Sequence, residues 1–108
     1  MARVNQTFTV GASPHRIASS QTLADRLVAQ MVAGGSGVGY LLYSNTGGVP
    51  SKANAADIMS EVAAATPTSA GVPYKDCQPG GGDCIDVSAY WVDGANSGDT
   101  IRVSYNKR

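Results

Sequence analysis

The stretch that most narrows the fold is residues 86–105, DVSAYWVDGANSGDTIRVSY, which reads as two short strands joined by turn chemistry. Ile101, Val103 and Tyr105 alternate with Arg102 and Ser104, the period-2 signature of a strand buried on one face. Tyr90 and Val92 flank Trp91 in the same way, and the DGANSGD between the two patterns is almost all turn formers. The pattern predicts that this part of the chain folds as a β-hairpin.

Similar patterns occur upstream. Val4, Gln6, Phe8 and Val10 fall on one face and Asn5, Thr7 and Thr9 on the other, as in a half-buried or edge strand, and residues 11–14 then turn the chain. Residues 26–32, RLVAQMV, are apolar on both faces and read as a central strand between two layers. A helix over 22–32 is the competing pattern, since Leu23, Leu27 and Gln30-Met31 also fit a 3.6-residue period. The β-branched residues and the glycines that follow favour a strand leading into a hairpin. Residues 34–39, GGSGVG, open a strand at 38–44 and not a helix, so they read as a flexible turn and not a phosphate loop. Residues 57–65, DIMSEVAAA, have the best helical propensity in the chain. Ile58, Val62 and Ala65 lie on one stripe, Asn54 is available as a cap and Pro67 as a stop. Residues 66–83 are rich in Thr, Ser, Gly and Pro and read as a loop or extended arm. The expected fold is all-β, a small antiparallel sandwich or barrel in one domain over 1–108, with one short inserted helix and a long loop or arm around 46–83.

The order of these pieces carries a resemblance. Phe8-Thr9-Val10 runs into Gly11-Ala12-Ser13-Pro14-His15-Arg16-Ile17; strands at 26–32 and 38–44 follow; and the chain closes on Asp-x-Ser, Tyr-x-Val-x-Gly and Gly-Asp-Thr-Ile-Arg-Val-Ser-Tyr. This set resembles the small β-rich virion proteins of tailed bacteriophages, the capsid decoration (cement) proteins and related head or tail accessory domains. It covers residues 1–45 and 84–108. Residues 46–83 depart from the short linker such domains carry there. The resemblance implies a structural protein of the capsid surface, assembled in the host cytoplasm. It would bind the major capsid protein and itself, as a homotrimer, and stabilise the shell. A tail, fibre or head–tail accessory role and a small carbohydrate-binding module are the alternatives.

Composition points the same way. Charged residues make up 15% of the chain, against about a quarter in ordinary soluble domains, which suggests a surface covered by partners. Eight basic side chains balance eight acidic ones with no cluster beyond Lys107-Arg108, so no nucleic-acid footprint is expected. No apolar leader opens the chain and its longest apolar run is far too short for a bilayer, so neither secretion nor membrane insertion is expected, and the sequon Asn5-Gln6-Thr7 reads as unused.

Few residues look chemically active. Cys77 and Cys84 bracket a Gly-rich turn, and three readings stay open: a disulfide, worth about 2 to 3 kcal/mol for so short a ring, two free thiols, or a metal site. The last is disfavoured because the single His, His15, is remote in sequence. No nucleophile motif or paired carboxylates accompany His15, so it reads as structural or solvent-facing and the chain as a non-enzyme without cofactors. Asp93, Asn96 and Asp99 recur every three residues but lack the spacing and terminal Glu of a calcium loop, and fit Asx turns better. Among the aromatics, Trp91, Tyr74 and Phe8 are the candidates for an interface.

Overall fold

The computed structural model describes residues 2–44, 47–76 and 85–108. Cys77 and Cys84, with their possible disulfide, lie outside the described residues.

Among the described residues nine strands build two antiparallel sheets packed face to face. The first sheet runs β1 (Ala2–Thr9), β9 (Thr100–Lys107), β3 (Leu23–Met31), and the far side of β3 is shared by β6 (Tyr74–Asp76) and β7 (Ile85–Asp86). The second runs β2 (His15–Arg16), β8 (Tyr90–Gly94), β4 (Gly39–Tyr43), β5 (Ile58–Val62). The all-β sandwich is as expected, and β3 is central, with β9 on one side and β6 and β7 on the other. Alternation places the core. Ile101, Val103 and Tyr105 from β9, Leu27, Ala29 and Met31 from β3, Leu41 from β4 and Tyr90 and Val92 from β8 all point between the sheets and are buried. Burial also raises the pKa of the Tyr105 phenol.

Two expectations about this architecture need correction. Residues 86–105 do not form a hairpin: β8 and β9 lie in opposite sheets, and the turn between them is an arch across the sandwich. The glycine-rich step from β3 to β4 is a second arch, not a hairpin turn. Alternation reports which face of a strand is buried, not which strand lies beside it. Tyr90 and Val92 share a core with Ile101 and Val103 because they meet face to face across the two layers.

The inserted helix is also absent. Asn54 does cap, its side chain accepting from Ala56 N–H, but what it starts is a single 3-10 turn at Ala55–Asp57. The chain then extends as β5 along the free side of β4. A helix this short is marginal alone, whereas the β4 edge offers a hydrogen-bonded ladder together with burial. A bulge at Met59 lets β5 serve two layers. Val62, opposite Gly39, enters the sandwich core, and Ile58, opposite Leu42, faces the outer side of the sheet. Of the segment expected as a loop or extended arm, residues 66–73 form a loop that leads into β6. Gly34 N–H donates to Thr66 O, Gly71 N–H to Met31 O and Gln30 Nε2 to Gly71 O, which binds the segment to β3.

Candidate interaction face

The two outer faces of the sandwich differ, and on the second sheet's the middle is buried while Arg16 and Glu61 at its two sides are exposed. Register aligns Arg16, Trp91, Leu42 and Ile58 in one row across it. Leu42 is 0% exposed although it lies outside the sandwich core, and Pro50, in the connection between β4 and β5, is buried too. The clamp for this connection is Lys52, whose ammonium donates to Gly94 O (2.6 Å) and Gly11 O (3.0 Å) and stands 3.9 Å from Asp93 Oδ1.

Asp93 is the most buried carboxylate among the described residues, 2% exposed. Its Oδ1 accepts from the N–H groups of Gly11 (3.0 Å) and Gly94 (2.8 Å), so the charge is both paired and hydrogen-bonded, as burial demands. Asp99 does the same for the other arch: its Oδ2 accepts from Gly37 N–H, and its backbone carbonyl from Val10 N–H. The two acids of the series that recurs every three residues, Asp93 and Asp99, are therefore loop fasteners, with their oxygens directed at backbone donors. The third residue of that series, Asn96, presents its backbone to Gly11.

Asp86 fastens a further corner. Its Oδ1 accepts from Ser88 Oγ (2.7 Å), Ser88 N–H (3.0 Å) and Thr22 N–H (3.1 Å), while Arg16 Nε donates to Ser88 O (2.6 Å). Burial pushes this carboxyl up, but the Ser88 hydroxyl, the two backbone donors and the nearby Arg16 charge outweigh it and hold the pKa below its ordinary value. A carboxyl depressed in the folded state stabilises fully above its unfolded pKa, and that contribution is lost as pH falls through the folded value. The stability gap between wild type and Asp86→Asn, measured as urea midpoints, is accordingly expected to be constant near neutrality and to shrink below about pH 4. A gap independent of pH would remove Asp86 from the acid response.

The three candidate interface aromatics are not brought together. Phe8 points inward from β1 and stacks on His15, which points inward from β2, with centroids 5.9 Å apart at 29°. The pair closes one side of the sandwich and gives His15 its structural role. Tyr74, half-buried, faces inward at the opposite edge of the first sheet, and Trp91, half-buried, sits in the covered row of the second.

The first sheet's outer face is the open one. Except for Arg16 and Lys52, every cation in the chain lies on a strand of this sheet or, as Arg108, directly after one. Register sets Thr7, Arg102 and Gln30 in one outward row, Asn5, Ser104, Val28 and Lys75 in the next, and Arg3, Asn106 and Asp25 in the third. Arg3 lies flat across it, Nη2 donating to Ser104 Oγ (2.8 Å) and Nη1 to Asn106 Oδ1 (3.1 Å) and Arg26 O (3.4 Å), which covers Ser104 to 8% exposure. Asp25 is bridged to Arg108 at 3.1 Å. Arg26 occupies the bulge in β3 with φ 55°, a left-handed position that turns its side chain out. Arg102, Lys75 and Arg26 are exposed. The sequence shows these cations singly; antiparallel register makes them a cluster.

No protein-family model, curated protein or solved structure matches the chain.

Proposed function

We propose that this protein is a structural subunit of a tailed-phage virion, a decoration protein that seats on the outside of the capsid and stabilises it by bridging shell subunits. The observation that carries the reading is the asymmetry of the two outer faces. On one, the central Leu42 and Asp93 are buried and Lys52 of the 47–57 connection reaches in to Gly94 and Asp93; the other is a broad, polar, cation-bearing surface on which Arg3, Asn5, Thr7, Lys75 and Arg102 are exposed. A slab 37 × 29 × 20 Å with one open broad side suits lateral contact with a larger surface. The basic side chains, interleaved with Thr, Asn, Gln and Ser, favour an acidic, hydrogen-bonding partner such as a carboxylate-bearing region of the major capsid protein. The sequence resemblance to cement proteins supports the same assignment.

Particles lacking the protein are expected to rupture at lower temperature or lower ionic strength than complete ones. The double variant Lys75→Glu/Arg102→Glu should fold normally yet occupy particles several-fold less. Equal rupture thresholds with and without the protein would end the cementing role, and cross-linking mass spectrometry that placed the chain on the tail would move it to the accessory reading.

A further inference from the structure

We infer that two copies of this chain pair through their β1 strands, antiparallel about a dyad at Gln6, to form one continuous sheet. Among the described residues, three of the four sheet edges are blunted in ways that discourage strand addition. β2 is two residues long, β5 is bulged at Met59, and the far edge of the first sheet is split between β6 and β7. β1 is different: eight residues without a bulge, in unbroken register with β9 from Ala2↔Lys107 to Thr9↔Thr100. Its one charged side chain, Arg3, is folded back onto its own sheet and does not guard the edge.

The ladder decides which backbone groups are on offer. Val10 N–H donates to Asp99 O, so even-numbered residues of β1 turn their peptide groups toward β9, and Arg3, Asn5, Thr7 and Thr9 turn theirs outward. Side-chain parity limits the pairing, because residues opposite each other must lie on the same face. Setting Gln6 against Gln6 of the second copy places Val4 opposite Phe8, Asn5 opposite Thr7 and Arg3 opposite Thr9. The half-buried apolar residues of the inner face then extend each other's core, and no like charges oppose.

Gln6 supplies an independent observation for this register. Its Oε1 is buried without a hydrogen-bond partner among the described residues, and it sits at the centre of the open strand. A non-hydrogen-bonded pair on the dyad brings opposed side chains closest, so a Gln6 carboxamide that swings out from its buried position, where Oε1 has no partner among the described residues, can exchange Nε2–H to Oε1 bonds with that of the second copy. About eight backbone hydrogen bonds would form alongside. Both outer faces of the first sheet then look the same way, doubling the basic surface. The inference does not depend on a virion role and is tested on the full chain in solution.

Sedimentation velocity over a concentration series is expected to show a monomer–dimer equilibrium. Thr7→Pro, which removes an outward N–H and leaves the β9 ladder intact, should raise the dimer Kd more than about tenfold with an unchanged circular dichroism spectrum. In a Cys77→Ser/Cys84→Ser background, Gln6→Cys should oxidise to a covalent dimer and Val4→Cys, displaced from the dyad, should not. A chain monomeric at every concentration overturns the inference. So does a dimer or trimer that is indifferent to Thr7→Pro and uncross-linked through Gln6→Cys, which would assign self-association to another surface or to the trimer expected from the sequence.

Discussion

Gly11→Ala is expected to lower stability by about 3 kcal/mol or more, because it combines backbone strain of roughly 1 to 3 kcal/mol with a collision. Gly11 holds φ 104°, in the left-handed region L side chains avoid, and a Cβ there would run into the backbone of Asn96 and Ser97. Both of its peptide groups are also committed, the N–H to Asp93 and the carbonyl to Lys52. Moving Gly11 to relieve the clash would therefore disturb the buried carboxylate and the clamp on the 47–57 connection together. Gly34→Ala is the matched control. It has φ 112° but open space around its would-be Cβ, so it should cost about 1 kcal/mol, near the lower end of the strain range. Urea unfolding of both variants separates strain from collision: equal costs would show that the Asn96 and Ser97 contact is unimportant.

Gly11 also shows where the sequence could be read and where it could not. That residues 11–14 turn was legible, because Gly and Pro act locally. That the turn sits against the β8–β9 arch was not, since that contact joins residues more than eighty positions apart. The inward residues of β1, β3, β8 and β9 were legible from period 2 alone. Neighbour relations were not, and the hairpin expected over 86–105 became an arch because face-to-face and side-by-side strands leave the same alternating trace. The 57–65 segment failed for another reason. Ile58 and Val62, four apart, fit a helical stripe, but the Met59 bulge lets a strand send them into two different layers. The basic face was invisible because Arg3, Lys75 and Arg102 come to one face only through register, while of the one visible pair, Lys107-Arg108, Lys107 shares the inward parity of β9 and Arg108 reaches that face by bridging Asp25.

Leu42→Ala is expected to cost about 2 to 5 kcal/mol, as much as removing a leucine from the sandwich interior. The side chain is fully buried yet lies outside the sandwich core, with Trp91 and Ile58 beside it by register, Pro50 of the 47–57 connection also buried and Lys52 of that connection held at Gly94 and Gly11. Its loss leaves a cavity beneath a segment fastened chiefly by Lys52, so the connection should become sensitive to limited proteolysis before the sheets unfold. Leu41→Ala, one residue away and facing inward, should cost a similar amount without that local sensitivity. If Leu42→Ala lost less than about 1 kcal/mol, the second layer would be a loose cover and not a core. The same variant separates stability from binding. Leu42 lies on the side opposite the docking face of the proposed capsid role, so under that proposal folded Leu42→Ala protein should occupy capsids at the wild-type level, whereas Lys75→Glu/Arg102→Glu should keep its unfolding midpoint and lose occupancy. A reversal of that pattern would place the docking surface on the second sheet, beneath or around the 47–57 connection, and not on the open cationic face.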